Sequence, residues 1–210
     1  MIGTQTLFIR FGGCDYLCNW CDSLYAVKPE EVRRNATFMT AGEIVEKVQE
    51  LSTTTPWVTL SGGNPALFDL DELVVALGQS GYRIAVETQG TIWKDWLLAC
   101  DIVTTSPKPP SSGMSTDWDK LKRFYESHNT ALKIVIFDDK DLDYAEDVVR
   151  RFPGWDLFLQ VGNDVGKDDL ESLVSKLKWL TNETMKRPSL SHAVVLPQLH
   201  VLMWGNKKGV

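Results

Sequence analysis

Cys14, Cys18 and Cys21 lie in the stretch FGGCDYLCNWCDS, three thiols within eight residues, while Cys100 stands far along the chain. Thiols at this density point to metal ligation or redox chemistry. A structural zinc site closes with four ligands. Only three are local here, since His128, His192 and His200 are all distant in sequence; a fourth delivered by the fold leaves zinc open. A thioredoxin-like pair needs only Cys18-Asn19-Trp20-Cys21 and leaves Cys14 without a task. A disulfide framework would spread its cysteines along the chain. A [4Fe–4S] cluster fits the count best. Cysteine thiolates ordinarily hold each of its irons, so three of them leave one iron free for a small molecule to chelate.

Further polar clusters follow: Ser61-Gly62-Gly63-Asn64-Pro65, Glu87-Thr88-Gln89-Gly90-Thr91, Ser106-Pro107-Lys108 and Gln160-Val161-Gly162-Asn163. Each sits just after or at the end of a short apolar run that reads as a buried strand. The expected strands are 5–11, 57–60, 82–87, 101–105, 132–137 and 157–161. Helical spacing predicts helices at 41–52, opened by a Thr40–Glu43 capping box, and at 69–80, 92–99, 117–127, 142–152 and 168–185. Residues 28–35 are charged and read as a loop. Strand and helix alternate six times, which predicts an α/β fold with a parallel sheet and covering helices. Six units are too few for a closed eight-unit barrel, so a partial, TIM-like barrel is expected. In such sheets ligands bind at the carboxyl ends of the strands, where all these clusters should converge.

The 210 residues, 43% hydrophobic and 24% charged, suit a single domain spanning 1–210, with a cluster loop at 12–23 and a tail at 194–210. A net charge of −6 argues against non-specific binding to nucleic acid or anionic membranes. No apolar run is long enough to cross a bilayer and no signal segment opens the chain, so the expected location is cytoplasmic.

The C-x-x-x-C-x-x-C spacing, with Trp20 before the last cysteine, is the signature of radical S-adenosylmethionine (SAM) enzymes. Beyond that loop, RFGGCDYLCNWCDS, TLSGGNPAL, VETQGT, TTSPKPPSSGM, FLQVGND and VLPQLHVLMWGNKKGV together resemble the 7-carboxy-7-deazaguanine synthase family, in the form found in bacilli. The resemblance runs from Gly3 to Val210. It implies a ring contraction of 6-carboxy-5,6,7,8-tetrahydropterin with loss of ammonia, in queuosine and deazapurine biosynthesis. It also implies a [4Fe–4S] cluster, SAM used as a regenerated radical source, Mg²⁺, a one-electron donor such as a flavodoxin, and a homodimer.

By motif, the resemblance makes Cys14, Cys18 and Cys21 the cluster ligands. It makes Trp20, Cys21, Asp22, Gly63, Glu87, Ser106, Pro107, Lys108 and Gln160 to Asn163 cofactor contacts, with Glu87 at the reacting centre. Ser23 matches a hydroxyl ligand to Mg²⁺, although a loop serine capping its own backbone is the plainer reading. Arg10, Ser61 and the terminal carboxylate of Val210 match substrate contacts; a guanidinium suits a carboxylated pterin. Asn64 stands where the family has Glu. Glu87 could equally serve a salt bridge, His200 a packed structural role, and Cys100 is expected to fill core. The family's usual opening strand and Gln-Gly-Glu-Gly loop precede the position of Met1, so an upstream-extended chain is expected to turn over better. Two other readings share the cysteine loop: a glycyl-radical-enzyme activase, which acts on a large protein, and a zinc-binding interaction module.

Overall fold

The computed structural model describes residues 2–207. Its centre is one open sheet of seven parallel strands in sequential order: β1 (Leu7–Phe11), β2 (Trp57–Gly62), β3 (Arg83–Thr88), β4 (Ile102–Thr105), β5 (Thr130–Ile136), β6 (Leu157–Val161) and β7 (Val194–Leu196). Every neighbouring pair is parallel. Sequential order with crossovers of one hand puts every connection on the same side of the sheet. The other side is left to curve around a hollow, as in a barrel that stops short of closing.

The connections carry α1 (Pro29–Asn35), α2 (Ala41–Leu51), α3 (Asp71–Gln79), α4 (Trp118–Tyr125), α5 (Asp139–Arg151) and α6 (Leu170–Met185); α7 (Leu199–Trp204) follows β7. The predicted helix at 92–99 is a 3₁₀ segment at Asp95–Ala99. Further elements differ from the sequence reading, the tail helix α7 among them. The tail supplies a seventh strand, β7, too short at three residues to show a period. Residues 29–35 are helical, not a loop. Pro29 begins α1, Glu30 and Glu31 occupy its first turn and Arg33 and Arg34 its last, as the helix dipole favours. None of its residues is buried, so it carries no apolar stripe to read. The Thr40–Glu43 capping box is present, with Glu43 N donating to Thr40 Oγ1 at 3.3 Å and Thr40 N to Glu43 Oε2 at 2.7 Å.

Strand parity decides which side chains reach the hollow. In β5, Leu132, Ile134 and Ile136 are buried under the helices, while Lys133 and Val135 face the other way. In β2, Val58 and Leu60 join the core while Ser61 faces the hollow. In β3, Ile84 and Val86 pack inward and Glu87 faces the hollow. The helix side is a continuous apolar layer that includes Leu73, Leu77, Leu121, Phe124, Leu142, Val148 and Leu180. Each such fully buried side chain contributes roughly 1.5–3 kcal/mol. That layer makes the sheet a rigid platform for the loops at its carboxyl edge.

Candidate active site

At that edge lies a cavity of about 390 Å³. The cluster loop lines it with Cys14, Cys18, Trp20, Cys21, Asp22 and Ser23. The strands and their following turns contribute Arg10, Ser61, Gly63, Glu87, Ser106, Lys108, Gln160 and Asn163. Three residues expected at the site stand back from it. Pro107 is buried, Val161 belongs to the helix-side core, and Gly162 seats the ring of Phe137. Val210 lies outside the described residues. His200, expected to be packed, is exposed and lines the cavity from α7, beside buried Gln198.

The cysteine loop is clamped from two sides. On one side, the glycine turn after β2 bonds into it: Gly63 N donates to Phe11 O at 2.9 Å and Asn64 N to Gly13 O at 2.8 Å. A Cβ on Gly63 would stand 1.8 Å from Gly13 O, and one on Gly62, whose φ is +125°, 2.2 Å from Phe11 O. These glycines line the cavity, but they also let two backbones meet. On the other side, Asn19 N donates to Ser112 O at 2.9 Å and Trp20 Nε1 to Ser111 Oγ at 2.9 Å. Trp20 also packs on Phe137, with ring centroids 5.3 Å apart. Behind this contact, fully buried Asp141 accepts from the backbone N–H of Ser111 and of Phe137, which ties the Ser106–Ser115 loop to the β5–α5 turn.

Asn64 is fully buried at the junction of three loops. It donates to Asp15 at 2.9 Å and Thr91 at 3.4 Å, and accepts from Ala66 N at 3.2 Å and Thr88 Oγ1 at 2.9 Å. The residue at this position therefore works through its side chain, not only through its backbone.

Burial pushes all three loop thiols up, Cys18 to about 11, with the Lys108 ammonium drawing it partly back. Burial in turn pulls Lys108 down. Among the described residues no three Cys, His, Asp or Glu side chains group closely enough to share one metal ion. Thiols that line one cavity without meeting at a point suit the corners of a polynuclear cluster, each on its own iron.

Glu87 pairs with Lys133 at 3.0 Å within the cavity, and the Lys133 charge holds its carboxyl below the usual range against burial. Lys133 was not singled out from the sequence. Its signal is a lysine in the middle of the apolar run LKIVIF, which a solvent-free strand would not tolerate. Arg10 lies over the rings of Phe8 and Tyr25, 5.8 and 5.9 Å from their centroids, and has no carboxylate partner among the described residues. Ser23 makes no cap hydrogen bond; its hydroxyl donates to Asp22 Oδ1 at 2.9 Å. Cys100 is buried in the core, its thiol pushed up to about 12 by burial.

A family profile, the radical SAM superfamily, matches residues 8–101. The 7-carboxy-7-deazaguanine synthases of Bacillus cereus and Bacillus subtilis are each 42% identical over the whole of this chain, which covers 92% of either relative. The chain belongs to the 7-carboxy-7-deazaguanine synthase family of radical SAM enzymes. The crystal structure of QueE from Escherichia coli shares its fold, with a TM-score of 0.68 at 20% identity over 93% of this chain and 86% of that one. Streptococcus suis SuiB bound to S-adenosylmethionine shares it more distantly, with a TM-score of 0.61 at 15% identity over 95% of this chain and 52% of that one.

Membership in the synthase family settles the enzyme class and brings a [4Fe–4S] cluster and SAM as cofactors. It sets aside the activase and zinc-module readings. The residues present fit the synthase cofactors. The three thiols face one cavity, and the glycine turn leaves its backbone open on the same cavity, where a ligand can approach. Lys108 supplies a cation beside them. Among the described residues no helix is long and apolar enough to cross a membrane.

Proposed function

We propose that this protein converts 6-carboxy-5,6,7,8-tetrahydropterin to 7-carboxy-7-deazaguanine with loss of ammonia, a step of queuosine and deazapurine biosynthesis in the cytoplasm. One observation carries the reading: three thiols, an arginine with no carboxylate partner among the described residues and an ion-paired glutamate, from three different segments, line the same cavity. In this reading Cys14, Cys18 and Cys21 hold the cluster, and the fourth iron is left to the amino and carboxylate groups of SAM. When bound, the cluster supplies one electron and SAM the carbon-centred radical that takes the substrate's C6 hydrogen.

The polypeptide's own part is to bind, orient and exclude water. Arg10, freed of any carboxylate among the described residues and flanked by aromatic rings, is suited to the substrate carboxylate, which it grips through paired N–H donors. Ser61 pairs in register with Arg10 on the neighbouring strand, so both face the same group. Glu87, kept ionised by Lys133, offers an acceptor to the hydroxyl or ammonium donors of the cofactor. Lys108, its Nζ held 2.6 Å from Ser106 O, offers a cation to the cofactor carboxylate. Trp20, Asp22, Gly63, Gln160 and Asn163 complete the cofactor's surroundings, and Pro107, Val161 and Gly162 support them from behind. Ser23, with the Asp22 carboxylate against its hydroxyl, is suited to one edge of a hydrated Mg²⁺, the rest of whose shell comes from water and substrate oxygens. A homodimer and a flavodoxin-class electron donor complete the proposal.

The test is anaerobic reconstitution, then incubation of the reduced protein with SAM, Mg²⁺ and the carboxy-tetrahydropterin, with mass detection of the deazapurine acid. Formation of that mass with release of ammonia is expected. A brown protein of about four irons per chain that binds SAM but leaves the pterin unchanged would overturn the substrate while keeping the enzyme class.

A further inference from the structure

Gln89 follows the last residue of β3 and is buried, with 6% of its surface exposed. Its side-chain Nε2 lies 3.4 Å from Cys14 Sγ and also donates to the Asp15 carboxylate. The ionised Asp15 carboxylate is an acceptor only, which fixes the end of the amide that faces it as the one carrying the hydrogens. The donor is held from both ends. Gly90, at φ +81°, turns the chain against the side chains of Thr105 and Leu121, where a Cβ would clash at 2.6 Å. Asn64 grips the same Asp15 oxygen at 2.9 Å and the preceding Thr88 at 2.9 Å. The cysteine loop and the β3 turn therefore meet through one amide aimed at one sulfur.

We propose that Gln89 is a positioning residue that sets the reduction potential of the cluster through an N–H···S hydrogen bond to Cys14. This rests on the reading of Cys14 as a cluster ligand. In the step concerned, one electron passes from an external one-electron donor to the cluster; no bond forms or breaks and no proton moves. The added charge spreads over the iron ligands, so the reduced state puts more negative charge on Cys14 Sγ than the oxidised state does. A fixed, buried donor stabilises the more negative state more strongly. It raises the potential and eases a reduction that the net acidic chain, at −6, otherwise opposes. Cys14 is singled out: its sulfur also receives Tyr16 N at 3.5 Å, and Gln89 adds the side-chain donor that a substitution can remove.

The experiment compares the reconstituted protein with its Gln89→Met variant, which keeps the length of the side chain and removes its N–H, by redox titration monitored by electron paramagnetic resonance. At a fixed poise the reduced-to-oxidised ratio should fall about tenfold, equivalent to a midpoint about 59 mV more negative for a one-electron couple. Iron content should stay that of the parent. An unchanged midpoint at full iron loading overturns the proposal. If Gln89→Met does not load iron, Gln89→Asn, which retains the amide but withdraws it by one methylene, is titrated instead and should shift the same way. Failure of both to load a cluster assigns the residue to scaffolding and also overturns the proposal. A parent protein that assembles no reducible cluster would instead refute Cys14 as a ligand, an outcome distinct from these.

Discussion

Replacing Asn64 by alanine tests whether the three loops around the cavity are held as one unit. Asn64 is completely buried and makes four hydrogen bonds, two given and two received. Alanine leaves two buried donors, Ala66 N–H and the Thr88 hydroxyl, without their acceptor, and releases Asp15 from one of its two side-chain donors. An orphaned buried polar group costs about 1–3 kcal/mol. Water entering the space left by the amide recovers part of this. A net loss of about 2–4 kcal/mol is expected. For a chain of this size that lowers the melting temperature by about 5–12 °C. The measurement is thermal unfolding of the ligand-free protein under anaerobic conditions, so that no cluster contributes. Because the released contacts are those of the cysteine loop, iron uptake on reconstitution should fall as well. A melting temperature within 2 °C of the parent, with full iron uptake, would show that the loops are held elsewhere and refute the reasoning.

Gly63→Ala should keep the helical signal in circular dichroism but lose most iron uptake, because its Cβ would fall 1.8 Å from a backbone oxygen of the cysteine loop. Lys133→Met should cost about 1 kcal/mol at pH 7, between the values of exposed and buried ion pairs. The Lys133 charge lowers the Glu87 carboxyl, so its stabilisation is present above the unfolded carboxylate's titration and lost as pH falls through the lowered value. Urea unfolding of parent and variant should therefore draw together as pH falls below the unfolded carboxylate's range and converge once it has passed the lowered value; a deficit that persists in acid would assign the loss to packing. Arg10→Ala should raise KM for the carboxylated pterin about ten- to hundredfold, the worth of a charge-assisted hydrogen bond, with iron content unchanged.

The cysteine loop was legible because metal chemistry depends on residue type and close spacing, which a sequence carries directly. The parallel sheet was legible because buried strands write themselves as apolar runs at regular intervals. Elements without a buried face were not: α1 buries none of its residues and β7 has only three. His200 shows a related limit, since its place at the cavity depends on how α7 docks.

By itself the sequence determined the spacing of the three cysteines, the alternation of strand and helix, and the family, all properties of local composition and order. Tertiary structure alone decided what meets across the hollow. Lys133 faces Glu87 from 46 residues away, Asn64 joins three loops, and Gln89 reaches Cys14 from 75 residues away. Those pairings depend on strand register and on side-chain parity, and a shift of one residue would turn each group to the opposite face.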